Sequence, residues 1–359
     1  MNADGLSRAS IGSLTTIPLI LFGAVGLWAG WIGQRIGFAR ALGLGLAVLA
    51  LGCLTRSIPG DHAMSWRILG TISIGAGIAL GNVLLPGLVK SRFPNHVGLL
   101  TSLYATAMNL GAAAGIAFAV PLANHLGGWN PALATWGYFA LFILLVWSPQ
   151  MWPRPAAHGR THPLAGVIML SKKARAWQVT AYMGLQSTIF YSSVAWLPTV
   201  LQHRGMSEGD ASFWVTGLQL IGCLASLSIP TLAGRAKSQS FWVFGCLMAI
   251  IFGLLGILIL PLHFTPCAVL LLGIGLNGGF GMALLIIAMR SKTPETAASL
   301  SSMAQAGGYL FAAPGPFLVG WLSTHGGWDL AFSLIIFAAL IASFLGFLAG
   351  RPGEMALED

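Results

Sequence analysis

The sequence predicts an all-α polytopic membrane protein built as two parallel, pseudo-symmetric bundles of transmembrane helices. Three observations carry that fold class. Of 359 residues, 56% are apolar and only 8% are charged, too few to clothe a soluble domain of this length. Apolar runs of about 20 residues recur from end to end, each enough to cross a hydrocarbon core of about 30 Å. A set of residues also repeats at an offset of 200 positions. Inside lipid every backbone polar group must be bonded within its own element, so the runs are expected to be helices.

About eleven spans lie between polar punctuation. The first, 10–32, gives out at Arg35 and Arg40, and the second, 41–58, reaches the loop between Arg56 and Arg67. The third, 66–89, stops at Lys90-Ser91-Arg92-Phe93-Pro94, and 98–121 follows. Gly127-Gly128-Trp129 leads into the fifth, 130–149. A basic loop over 150–176 separates this from 177–200, after which come 211–232 and 241–261. The ninth, 266–289, stops at Arg290-Ser291-Lys292-Thr293-Pro294. The last two, 298–322 and 328–349, flank Gly326-Gly327-Trp328. The domain organisation is thus a bundle over 1–149, a linker over 150–176, a bundle over 177–350 and a tail over 351–359. The abundant glycines suit helices that pack closely in lipid, and no cleavable signal peptide precedes them.

Basic residues orient the chain. One set of loops holds fourteen: Arg35, Arg40, Lys90, Arg92, Arg154, Arg160, Lys172, Lys173, Arg175, Arg235, Lys237, Arg290, Lys292 and Arg351. The other holds four, Arg8, Arg56, Arg67 and Arg204. The positive-inside rule puts the first set, the linker and the C-terminus in the cytoplasm. The net charge of +9 is then a topology signal and calls for no nucleic-acid partner. Cys53, Cys223, Cys246 and Cys267 are scattered without metal spacing, and no disulfide is expected.

The repeat runs through five loops. Gly75 matches Gly275, Gly81 matches Gly281, Leu84-Leu85 matches Leu284-Leu285, and Leu100 and Ser102 match Leu300 and Ser302. Arg35 matches Arg235, Gly5-Leu6-Ser7 answers Gly205-Met206-Ser207, and the Gly-Gly-Trp pair follows after a slip of one. Such constancy marks an internal duplication with both copies in one orientation. The basic–Ser–basic–x–Pro marks at 90–94 and 290–294 read as ends of the fourth helix of each half, a record of duplication rather than a binding motif. The register also puts the partner of 177–200 ahead of Met1, so the halves count five and six helices.

Parallel halves joined by a basic loop resemble the major facilitator superfamily of transporters. The loop Gly30-x-x-x-Gln34-Arg35-x-Gly37-x-x-Arg40 is similar to that superfamily's signature between its second and third helices, where an Asp usually stands at the Gln34 position. The resemblance implies a conformational role for Gly30, Gln34, Arg35, Gly37 and Arg40. Segments 75–94, 98–115 and 183–205 resemble the cyanate and 2-nitroimidazole permease branch, and the likeness runs from about residue 9 to 350. In that branch the first helix, which this register places before Met1, carries an Arg-Pro motif.

Parallel-repeat transporters hold substrate near the bilayer midplane between their halves. No Asp, Glu, Lys, Arg or His lies deep in a span here, which argues against a proton relay in the visible helices. Neutral candidates remain: Asn82, Tyr104, Asn109, Gln186, Tyr191, Gln219, Asn277, Gln305 and Tyr309. Amides and phenols around an apolar cleft suit a small planar solute. Gln186, Tyr191, Gln305 and Tyr309 are the leading set, because they lie centrally in the second half. Asn82, Asn277 and Gln219 read equally well as bonds between neighbouring helices. Tyr182 and Trp196, toward the ends of their span, read as aromatic-belt residues.

The function expected is secondary transport, by alternating access, of a small organic solute or anion, cyanate-like or a small planar heterocycle. The membrane is taken to be a bacterial inner membrane. The expected partners are that solute and the bilayer, with no nucleic acid, no cofactor, no metal and a monomeric chain. The alternative is an inactive or regulatory remnant of a transporter. An integral-membrane enzyme fits poorly, since the loops offer no cluster of His, Asp or Glu. ATP-driven transport lacks a phosphate-cradling loop.

Overall fold

Every regular element is a helix among the residues that the computed structural model describes, 8–60, 62–152 and 164–357. Five long helices come first: α1 (Arg8–Ile36), α2 (Phe38–Arg56), α3 (Ala63–Arg92), α4 (Val97–His125) and α5 (Trp129–Trp147). The short α6 (Ala165–Ser171) lies in the linker. Then come α7 (Ala174–His203), α8 (Glu208–Ala233), α9 (Ser240–Ile259), α10 (Thr265–Met289), α11 (Pro294–Ala312) and α12 (Gly315–Ala349). Arg154, Arg160, Thr161 and the Gly5-Leu6-Ser7 match lie outside the described residues.

Two departures from the expected spans have a local cause. Span 298–322 is two helices, because Pro314 and Pro316 lack the N–H that a continuous helix needs. Residues 328–349 form the second arm of α12, which breaks at Gly327 (φ 79°, ψ 172°). Gly128, the repeat partner of Gly327, stands at φ 149° and caps α5. The duplicated Gly-Gly-Trp therefore encodes a corner in each half, reached at backbone angles that a side chain would strain. Pro294 does more than end α10. It occupies the first turn of α11, where a missing N–H costs nothing, and the Thr293 hydroxyl caps that helix by accepting from Thr296 N at 3.2 Å.

Eight segments are long and apolar enough to cross a membrane among the described residues. Helix α7 is not one of them, for it carries Gln178, Thr180, Tyr182, Gln186, Ser187, Tyr191, Ser192 and Ser193. Its surroundings explain how so polar a helix sits in a membrane protein: α8, α10, α11 and α12 pack around it and keep its polar side chains from lipid.

Within each bundle small residues let backbones touch, as expected where lipid supplies no hydrophobic drive between helices. A Cβ added to Gly70 or Gly77 of α3 would stand 2.6 Å from the carbonyl oxygen of Gly52 or Gly45 in α2. Between bundles, α1 and α3 pack on α11, and α4 packs on α8.

The halves are unequally covered. A Cβ at Gly281 or Gly315 would meet Pro230 at 2.8 Å or Thr188 at 2.7 Å, whereas one at Gly81 or Gly115 would meet nothing within 4 Å. Leu110 and Phe118 of α4 and Tyr138, Phe139 and Phe142 of α5 are exposed.

Candidate functional site

An aromatic cluster stands where α1, α7, α10 and α11 converge. Tyr309 of α11 lies 5.2 Å, centroid to centroid, from Phe22 of α1 and 6.3 Å from Tyr191 of α7. Phe190 stands edge-on to Tyr191 at 5.5 Å and continues to Phe280 of α10 at 6.4 Å. These spacings fall in the range favoured by tilted and edge-to-face rings. Both bundles contribute, α1 from the first and the rest from the second.

Gln186 lies one turn before Phe190 on α7, fully buried. Its Nε2 donates to the Leu276 carbonyl of α10 at 2.8 Å, while its Oε1 is buried with no protein donor. Gly279 makes room for it, since a Cβ there would stand 2.8 Å from Nε2. The hydroxyls of Ser187, Ser192 and Ser193 on the same helix are likewise buried without partners. Unmet buried polar groups are rare and costly, about 1–3 kcal/mol each. These four groups on one helix offer hydrogen-bonding capacity that the protein itself does not use.

The other sequence candidates divide. Gln305 is buried, and its Nε2 donates to the Asn82 carbonyl of α3 and to Ser301 Oγ, both at 2.8 Å. Asn109 of α4 donates to Ser226 Oγ of α8 at 2.7 Å. Both side chains therefore rivet one bundle to the other. The Tyr104 hydroxyl and Gln219 Oε1 are buried without partners. Asn277 bonds back to Gly273 O at 3.1 Å in its own helix and packs on Gly222 of α8. Asn82 lines a separate apolar groove of about 300 Å³ with Leu46, Leu49, Ile78 and Trp147.

One reading changes. Tyr182 is no belt residue: it is fully buried and donates to the Gly279 carbonyl at 2.8 Å, with its ring against Gly346, whose missing side chain admits it. Trp196 is partly buried, donating to Pro316 O at 2.7 Å beside Trp328. Phe22, Phe190 and Phe280 were missed, because nothing distinguishes them from the other phenylalanines among the chain's 19.

The loop motif resolves into parts. A Cβ at Gly30 would stand 2.6 Å from Ser302 Oγ and 2.9 Å from Ala298 O, and Gly30 N donates to that hydroxyl at 3.0 Å. Only glycine permits this approach of α1 to α11. Gln34 Nε2 donates to Ser299 Oγ at 3.1 Å and reaches Glu295 O at 3.4 Å, so a neutral amide spans the bundles. Gly37 turns the chain at φ 90°, Arg35 lies over the Trp31 ring at 5.1 Å, and Arg40 Nε donates to Met151 O at 2.9 Å. All of this lies at one end of the molecule, the basic face, where the bundles are pressed together.

Residues 1–316 match the family model described as Major Facilitator Superfamily. The chain is 40% identical over 351 residues to the uncharacterized transporter YycB of Bacillus subtilis (96% of this chain, 86% of that one). It is 35% identical over 356 residues to the 2-nitroimidazole transporter of Escherichia coli (99% and 89%). Over 362 residues it is 26% identical to the cyanate transport protein CynX of Escherichia coli (99% and 92%). In fold it is similar to the proton:xylose symporter XylE, with a TM-score of 0.78 at 14% identity over 98% of this chain and 90% of that one. Two parallel bundles, the loop motif seated between them and these matches agree, and the chain belongs to the major facilitator superfamily of membrane transporters.

Proposed function

We propose that this chain is a secondary transporter that moves a small planar organic solute, with the aromatic cluster as its seat. The observation that carries this reading is the meeting of Phe22, Tyr191 and Tyr309 from both bundles, with the unused acceptor of Gln186 on the same helix as Tyr191. Rings held by both halves sense whether the halves are together, which is what alternating access around a fixed site requires. Rings stack on a planar solute, and Gln186 Oε1 accepts from an N–H or O–H on its edge. The relatives that carry 2-nitroimidazole and cyanate support a small, planar or linear cargo.

The fourteen basic residues of one loop set support a cytoplasmic basic face in a bacterial cell. Impermeant maleimide applied to intact cells tests the orientation, in a background freed of Cys53, Cys223, Cys246 and Cys267. Ser323→Cys is expected to label and Thr161→Cys is not, and the reverse pattern would overturn the assignment.

For the function, purified chain in liposomes preloaded with 2-nitroimidazole is expected to exchange labelled 2-nitroimidazole across the membrane. Absence of exchange by folded, monodisperse protein, with cyanate tried as well, would favour the inactive-remnant alternative.

A further inference from the structure

The two basic–Ser–basic–x–Pro marks share a partner. Beyond α12 the chain turns at Gly353 (φ 119°) and runs back across the basic face. Met355 N donates to Arg290 O at 2.7 Å and Lys292 N to Met355 O at 2.8 Å, a short parallel bridge that buries Met355. Arg175 holds the Arg351 and Pro352 carbonyls at 3.0 and 2.8 Å, and Lys173 Nζ donates to Ala356 O at 2.7 Å. These anchors all belong to the second bundle or its entry. The residue before Met355, Glu354, reaches the other way, to Lys90 of α3 at 3.3 Å. Positions 90 and 290, equivalent by the repeat, thus grip adjacent residues of one segment from opposite bundles.

We propose that residues 351–357 form a strap that closes the basic face, hinged on the second bundle and clasped to the first through Glu354 and Lys90. The two attachments differ in strength by design of their surroundings. The hinge is backbone pairing with a buried side chain, beside Arg290, which is itself buried and bonded to Gln239 Oε1 and, at 3.1 Å, to Gly350 O. Burial, and secondarily Arg175, pushes the Arg290 guanidinium down to about 10 against an opposing pull from Glu354. The clasp is an ion pair whose Glu354 side chain is 48% exposed. An exposed pair of this kind shifts an equilibrium by about fivefold at most. Such a clasp breaks each time the bundles part, while the strap stays with the second bundle. The strap rests on the transport reading in one respect, that the bundles do part at this face.

Spin labels at Trp152→Cys, where the linker leaves the first bundle, and at Lys237→Cys on the second, in the cysteine-free background, read the gap without any substrate. Glu354→Gln, and separately a chain ending at Gly353, are expected to raise the long-distance population about threefold to fivefold. Lys90→Glu is expected to do the same, and Lys90→Glu with Glu354→Lys to restore the parent distribution. Distances unchanged in all the single variants, or an exchange of charges that restores nothing, would overturn the strap. Failed 2-nitroimidazole exchange with these distance shifts present would count against the transport reading alone.

Discussion

The side-chain amide of Gln305 in α11 donates to the backbone carbonyl of Asn82 in α3 at 2.8 Å, tying the second bundle to the first. A residue that the sequence offers as a substrate ligand is, in this arrangement, spent on the joint between the halves. Hydrogen bonds between membrane helices average about 0.6 kcal/mol and reach about 1.7. Gln305→Leu is therefore expected to shift the balance between joined and parted bundles by about threefold to about twentyfold, at 1.4 kcal/mol per tenfold. Distance measurements across the basic face check the shift. A change confined to substrate affinity, with the distances untouched, would return Gln305 to the binding site.

Gln186 and Tyr182 separate binding from architecture. Both bond the backbone of α10, at Leu276 and Gly279, but of the two only Gln186 keeps a polar atom with no partner. Tyr182→Phe removes a buried hydrogen bond worth about 0.5–1.5 kcal/mol and is expected to lower thermal stability with transport kinetics intact. Gln186→Met, of similar shape, is expected to raise KM at least tenfold while the protein remains folded. Equal effects of both variants on stability alone would remove Gln186 from the site.

The aromatic cluster makes its own demand. Stacking contacts are worth about 0.5–1.5 kcal/mol beyond area, so Tyr309→Leu and Tyr191→Leu are each expected to weaken 2-nitroimidazole binding about threefold to tenfold. Tyr309→Phe keeps the ring and is expected to bind as the parent does. Binding titrations on detergent-solubilised protein decide between them. A loss in Tyr309→Phe as large as in Tyr309→Leu would assign the role to the hydroxyl.

The sequence made some of this legible and not the rest, for physical reasons. Spans and the repeat were readable because lipid imposes a length and a composition on every segment, and duplication leaves glycines at fixed offsets. The polar character of α7 was readable too. What α7's side chains touch was not. Tyr182 looked like a belt residue by its place in the span, and only the gap left by Gly346, far along the chain, makes it a core residue. Phe22 joins Tyr309 through the crossing of α1 and α11, which single-sequence periodicity does not encode.

Unequal covering of the two halves yields a matched pair of substitutions. Gly81 of α3 and Gly281 of α10 are equivalent in the repeat. A methyl group at Gly281 would sit 2.8 Å from the Pro230 ring, a rigid neighbour that cannot rotate away, while at Gly81 it would meet nothing within 4 Å. Overpacking of this kind costs about 1–3 kcal/mol. Where space is open the replacement is neutral or slightly favourable, since glycine is the poorer helix former by about 1 kcal/mol. Gly281→Ala is therefore expected to lower the temperature at which the detergent-solubilised protein loses monodispersity, and Gly81→Ala to leave it unchanged or raise it. The measurement is fluorescence-detected size-exclusion after graded heating. Equal losses in the two variants would mean that α3 is packed on this face as tightly as α10, and the described asymmetry between the bundles would be wrong.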